Sequence, residues 1–226
     1  MKIQPGSKLL FIGDSITAGG RNVNQPGEGR TDEAYGSGYV LFVKSLLETI
    51  QPDSRIRVLN RGVSGNTVRE LATRWQSDVL DIRPDWLSVM IGINDVWRQF
   101  DTPLRTEIHV SLEEYTTNLR SLLAAVRPSL KGLVICSPYV IDANSADPMR
   151  AAMDRYRAAA RSLAKEFDAT FVDTQTAFDD YLRHHHPNQL CWDRIHPSAT
   201  GHMLIAKAWL DAMGFEWAPS GRSNAR

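Results

Sequence analysis

Near its N-terminus the chain reads Lys8-Leu9-Leu10-Phe11-Ile12-Gly13-Asp14-Ser15-Ile16-Thr17, an apolar run that passes directly into a glycine, a carboxylate and a serine. Four apolar residues in a row, without polar alternation, are the pattern of a strand buried on both faces of a parallel sheet. Residues 56–60, 86–91, 133–137 and 170–173 have the same character. With residues 8–12 they predict five strands.

Helical spacing fills the intervals. Val40, Val43, Leu46, Leu47 and Ile50 share one stripe of residues 39–50. Thr67-Val68-Arg69-Glu70 is a capping box, predicted to open a helix through Leu71, Trp75 and Val79. Residues 112–126 place Leu112, Tyr115, Leu119, Leu122 and Leu123 on one face, Pro148 suits the first turn of a helix to Phe167, and residues 198–213 form a last amphipathic helix closed by Gly214. This alternation predicts a three-layer α/β/α, flavodoxin-like fold. Its sheet is five-stranded, mostly parallel, and joined by right-handed crossovers. Ligands of such sheets bind beyond the carboxyl ends of the strands. Ser15, Gly62 and Asn94, each just after a strand, are therefore expected on one rim.

Bulk properties narrow the function. The chain has 226 residues, 42% hydrophobic and 23% charged, with a formal net charge of +0. A single domain over residues 1–217 and a tail over 218–226 are expected. The neutral balance gives no reason to expect nucleic acid or an anionic membrane as partner. The first residues carry no apolar leader and no segment approaches a membrane span, so a cytoplasmic location is expected. Cys136 and Cys191, far apart in sequence, are expected to be free thiols.

The chemistry lies in spacing. A serine after a strand is a nucleophile only if a base can reach it. Asp193-Arg194-Ile195-His196-Pro197 supplies an imidazole with a carboxylate three positions before it, so Ser15, His196 and Asp193 are the candidate nucleophile, base and orienting acid. Acyl transfer also needs preorganised donors for the oxyanion. The backbone N–H of Ser15 is one candidate. The N–H of Gly62, in Asn60-Arg61-Gly62-Val63-Ser64-Gly65-Asn66, is a second, and the side-chain amide of Asn94, in Gly92-Ile93-Asn94-Asp95, is a third. A phosphate cradle is disfavoured, because residues 13–19 lack Gly-x-Gly-x-x-Gly and Gly-Lys-Ser/Thr and carry Asp14.

Gly13-Asp14-Ser15, Gly62, Gly92-Ile93-Asn94-Asp95 and Asp193-Arg194-Ile195-His196 resemble, in order, the four blocks of the SGNH (GDSL-type) serine hydrolases. Ile16 stands where leucine is usual. The flanking segments, Ile91 to Gln99 and Trp192 to Ser198, resemble bacterial intracellular acetylxylan esterases up to about Trp217. The resemblance implies a metal- and cofactor-free serine esterase, commonly a homo-oligomer. It further implies Ser15, Gly62 and Asn94 around the oxyanion and acetylated xylan-derived oligosaccharides as substrate. A lipase or thioesterase on other acyl esters is the alternative, and a catalytically dead carbohydrate-binding module is disfavoured by the intact triad.

Asp14, Arg61, Trp97, Arg98 and Trp192 flank the blocks and are candidate substrate contacts, with core packing the competing reading for the two tryptophans. Trp75 and Trp86 are expected in the core. His184-His185-His186 reads as a solvated turn before Pro187, His202 as a residue on the helix surface or behind the site, and residues 18–38 as a long functional loop.

Overall fold

The computed structural model describes residues 1–217; the expected tail lies outside the described residues. Five strands form one sheet: β1 (Lys8–Gly13), β2 (Arg57–Gly62), β3 (Trp86–Met90), β4 (Gly132–Cys136) and β5 (Thr170–Val172). Their order is β2-β1-β3-β4-β5, and every pairing is parallel. The strand ends differ from the expected ones by a residue or two. β2 runs on to Gly62 because Arg61 and Gly62 pair with Ile12 and Gly13. Ile91, Ser137 and Asp173 leave the ladder. β3 and β4 are buried along their whole length, and β1 is buried from Leu9 onward, which accounts for their unalternating apolar sequence.

The chain moves from β1 outward to β2, then returns to β3 on the other side of β1. The order therefore reverses at β1, and a crevice opens beyond its carboxyl end. Ser15 is the second residue after that end.

Among the described residues eight α-helices cover the sheet: α1 (Ser15–Ala18), α2 (Tyr39–Ile50), α3 (Val68–Thr73), α4 (Ile93–Asp101), α5 (Leu112–Val126), α6 (Pro148–Glu166), α7 (Thr174–Leu182) and α8 (Ala199–Ala212). Helix α8 packs on α2 and α7, while α5 and α6 pack on each other and on α3 and α4 respectively. These are the two helical layers. The capping box forms: Thr67 Oγ1 accepts from the Arg69 N–H, and Glu70 accepts from the N–H and hydroxyl of Thr67. Helix α3 nevertheless stops at Thr73. The chain continues as a π-helical turn, Gln76–Leu80, that buries Trp75 and Val79 as the stripe requires.

The largest buried side chains include Trp209, Tyr39, Tyr115, Tyr139, Phe11 and Phe178. Their polar atoms are satisfied locally. Trp209 Nε1 donates to Ser88 Oγ at 3.0 Å, and the Tyr115 hydroxyl donates to the Ile91 carbonyl at 3.2 Å. Trp75 and Trp86 are buried, and Cys136 and Cys191 are buried free thiols; burial pushes the Cys136 thiol up to about 12. Among the described residues no helix is long and apolar enough to cross a membrane.

Candidate active site

Helix α1 starts at Ser15 itself. Asp14 is its N-cap, with Oδ1 accepting from the Ile16 N–H at 3.0 Å. The cap leaves the Ser15 N–H at the positive end of the turn, with no protein acceptor among the described residues. Ser15 Oγ lies 2.9 Å from His196 Nε2, and His196 Nδ1 lies 2.6 Å from Asp193 Oδ2.

The turn that carries Asp193 and His196 is held from several sides. Asp193 Oδ1 accepts from the backbone N–H groups of Ile195 and His196 at 3.0 and 2.8 Å. Arg194 sits in the left-handed region at φ 69, where a non-glycine residue is strained by roughly 1–2 kcal/mol. It is anchored there by ion pairs to Asp142 and Asp147, by its carbonyl accepting from the Ile141 N–H, and by Tyr139 Oη donating to the next carbonyl, Ile195. Burial of Asp193 acts to raise its pKa. The ring and backbone N–H bonds from His196 and the Ile195 N–H outweigh it and hold the carboxyl below its usual range. Asp193 is thus an anion beside Nδ1, which sets Nδ1 as donor and leaves Nε2 free to accept the Ser15 proton.

The donor side departs from the sequence reading at one position. The Gly62 N–H is already committed to Asn60 Oδ1 at 2.9 Å, and a Cβ at Gly62 would lie 2.2 Å from the Ala18 nitrogen. Gly62 packs against the back of α1 and does not line the cleft. Asn60 explains why: its amide also donates to the carbonyls of Thr17 and Tyr35 at 2.8 Å, stapling β2 to α1. The next glycine, Gly65, lines the cleft with Ser15 and Asn94. It stands at φ +80, a conformation that favours glycine, and its N–H has no protein acceptor among the described residues. Asn94 is buried in the first turn of α4. It donates one amide hydrogen to the Asn66 carbonyl at 3.0 Å, which leaves the second for the cleft.

Two residues missed by the sequence reading shape this rim. Arg74 donates to the carbonyls of Gly13 and Arg61 and to Asn66 Oδ1, at 2.8, 2.7 and 2.6 Å, and pairs with Asp78. It ties the ends of β1 and β2 to the Gly65 loop. Asp95, in α4, accepts from the Val68 N–H at 3.0 Å and fixes the far end of that loop. Asp14 and Asp95 are fully buried, and burial raises each to about 7. Asp14 cannot reach a ligand: it is removed from the substrate-contact set by its burial and its capping bond. Arg61 is also removed, since it does not line the cleft and its guanidinium lies 3.8 Å from Asp78.

Trp97 and Arg98 do line the cleft, whose volume is about 480 Å³. The Trp97 ring meets His196 edge-on at 5.6 Å, and the Arg98 guanidinium lies over Trp97 at 4.7 Å. Trp192, 88% exposed, lines a neighbouring groove that also reaches His196. His202, expected on a helix surface or behind the site, is instead a wall of the cleft, with Nδ1 accepting from the Tyr39 N–H at 3.3 Å. The His184–His186 segment is exposed; His185 stacks on Tyr181 and bonds to Gln189.

Comparison with known proteins agrees with this geometry. The model of the GDSL-like lipase/acylhydrolase family matches residues 11–204. The chain belongs to the GDSL-like lipase/acylhydrolase family. It is a carboxylic-ester hydrolase with a Ser-His-Asp triad. An acetylxylan esterase of Geobacillus stearothermophilus is 51% identical over 220 residues, which are 97% of this chain and 100% of that protein. The crystal structure of that enzyme, Axe2, superimposes with a TM-score of 0.95 at 49% identity, covering 98% of this chain and 100% of the other. Variants of it described as catalytic mutants replace a serine, an aspartate and a histidine. LAE5, an alpha/beta hydrolase enzyme from the metagenome of Lake Arreo, has a TM-score of 0.93 and 51% identity over 95% of this chain and 98% of its own.

Proposed function

We propose that this GDSL-like hydrolase removes acetyl groups from acetylated xylan-derived oligosaccharides through an acetyl-serine intermediate. Ser15 Oγ attacks the ester carbonyl while His196 Nε2 takes its proton, and Asp193 stabilises the imidazolium. The tetrahedral oxyanion receives hydrogen bonds from the N–H groups of Ser15 and Gly65 and from the Asn94 amide. His196 returns the proton to the sugar oxygen, which leaves as a hydroxyl. A water then adds to the acetyl-serine, giving its proton to His196, and Ser15 departs with that proton as acetate is released.

The observation that carries this reading is the hydrogen-bonded line of Ser15, His196 and Asp193, at 2.9 and 2.6 Å, opening onto a small cleft. Its walls are Gly19, Gly20, Ser64, Arg98 and His202, with Trp97 the one large apolar side chain. Beyond the Trp97 ring a long acyl chain would meet no further large apolar side chain of this lining, and its outer methylenes would forgo the roughly 0.8 kcal/mol that burial of each provides. Arg98 and Trp97 would meet sugar hydroxyls and a ring face, and exposed Trp192 offers an apolar plane beside His196.

The test is kcat/KM over a series of aryl esters from acetyl to octanoyl. A steep fall beyond acetyl supports the reading, and a rise towards longer chains replaces it with a lipase or thioesterase. A cytoplasmic location is supported by the two buried free cysteines, which suit a reducing compartment. A homo-oligomeric state is supported by the family resemblance, and light scattering that returns the mass of a single chain would overturn it.

A further inference from the structure

Two imidazoles line the cleft, and the proposed reaction uses only one. His202 is in the first turn of α8, six residues beyond His196, and reaches the cleft from the α2/α8 layer. Asn94 belongs to α4 and Gly65 to the loop before α3, on the opposite layer. Ser15 stands at the sheet rim between them.

The state of the His202 ring follows from its contacts. Its Nδ1 accepts a hydrogen bond from the N–H of Tyr39, the first residue of α2. That N–H is one of the helix's unpaired donors, and the N-cap, Gly38, has no side chain to satisfy it. An accepting Nδ1 carries no proton, so the single ring proton of the neutral imidazole is on Nε2. Charging the ring would also set a cation against the positive end of α2 and close to His196. Burial, with the charge of His196 adding to it, lowers His202 to about 4. The Nε2–H has no acceptor among the described residues, and Nε2 is not among the buried unpartnered atoms. It is therefore open to the cleft. His202 cannot replace His196 as base, because its one lone pair is already occupied.

We propose that His202 is a specificity-determining residue whose Nε2–H donates a hydrogen bond to an oxygen of the alcohol part of the substrate, a hydroxyl or ring oxygen of the acetylated sugar. The oxyanion is served by the Ser15 N–H and from the other layer, and an N–H facing the acetyl methyl would lack a partner. This role rests on the sugar-ester reading above.

Two substitutions separate it from a purely structural role as the cap of α2. In His202→Asn, Oδ1 takes the place of Nδ1 and keeps the Tyr39 bond, but the Nε2–H is lost. In His202→Gln, an amide N–H reaches the Nε2 position while the Nδ1 acceptor is lost. The quantity to measure is the ratio of kcat/KM on acetylated xylo-oligosaccharide to kcat/KM on p-nitrophenyl acetate, which has no sugar oxygen.

The expected result is a roughly tenfold fall of that ratio in His202→Asn, the scale of one hydrogen bond. In His202→Gln the ratio stays near the native value, with a lower melting temperature. Each variant is informative alone if the other does not fold. A native ratio in His202→Asn, or a collapsed ratio in His202→Gln, would overturn the assignment while leaving the sugar-ester reading intact. A native protein that turns over the aryl acetate but no acetylated sugar would overturn both.

Discussion

Replacing Asp95 by Asn should make the protein more stable at pH 8 and should change little at pH 4. Asp95 is fully buried in α4; its Oδ1 accepts from the Val68 N–H, and its Oδ2 is unpartnered. Burial raises its pKa from 3.8 to about 7, against the lowering effect of the Val68 bond, and the neighbouring Asp14 adds to the rise. A folded-state pKa above the unfolded one means that the native state holds its proton more tightly. Stability is then complete below about pH 4 and is lost as pH rises through about 7. A difference of about 3 units, at 1.36 kcal/mol each, amounts to roughly 4 kcal/mol. Asparagine keeps the acceptor for Val68 and cannot ionise. The stability of Asp95→Asn relative to the native chain should therefore climb by about 4 kcal/mol between pH 4 and pH 8. Urea unfolding followed by tryptophan fluorescence, on both proteins across that range, measures it. Comparing the two cancels the titration of groups that do not sense the Asp95 charge. Asp14, also raised to about 7, loses stability with rising pH, and His202, lowered to about 4, gains it. A stability difference independent of pH would refute the reasoning, because it would mean that Asp95 has the same pKa folded and unfolded.

Other perturbations address the site and its support. Asn94→Ala should lower kcat by about 10²–10³ with KM little changed, the cost of one oxyanion donor, and should lower the melting temperature because the buried Asn66 carbonyl loses its donor; a loss confined to KM would remove it from that role. Gly62→Ala should fail to fold or unfold early, since its Cβ would meet the Ala18 nitrogen at 2.2 Å, whereas Gly65→Ala meets nothing within 4 Å, carries only the roughly 1–2 kcal/mol strain of a side chain at positive φ, and should fold, somewhat less stably, with a reduced kcat; thermal melts with steady-state kinetics distinguish them, and a stable, inactive Gly62→Ala would return Gly62 to the oxyanion. Asp193→Asn should leave the fold intact and reduce kcat by about 10⁴, by loss of the tautomer that frees Nε2; near-native turnover would contradict the triad. Ser88→Ala should cost about 1–3 kcal/mol in urea unfolding, since it strands Trp209 Nε1 in the core; a neutral result would show that the indole finds another partner.

The sheet was legible because its strands are buried on both faces, so their sequence is continuously apolar, and because Thr67, Pro148 and the stripes of α2 and α5 mark helices by local rules. Helices α4 and α7 were not. Ile93-Asn94-Asp95-Val96 buries two polar residues within its first turn, which hides the helical stripe, and Thr174 to Leu182 is short and follows β5 almost without a break. That Ser15, Asp193 and His196 come together could be read because a triad depends on residue type and on a three-residue spacing. Which glycine lines the cleft could not. Gly62 and Gly65 are both plausible in sequence, and what separates them is Asn60 folding back onto the Gly62 N–H, together with the positive φ of Gly65. Asp14 and Arg61 illustrate the same limit: adjacency to a motif does not say whether a side chain turns toward the cleft or beneath it. The role of Arg74 as a tie between two strand ends and a loop is long-range and leaves no local pattern.

The most direct test of the account is acetate release from acetylated xylo-oligosaccharides by the native chain and by Ser15→Ala. With Ser15 as nucleophile the native protein releases acetate and the variant none above background, with both equally folded. Undiminished release by Ser15→Ala would contradict the central claim that Ser15, activated by His196 at 2.9 Å, is the nucleophile.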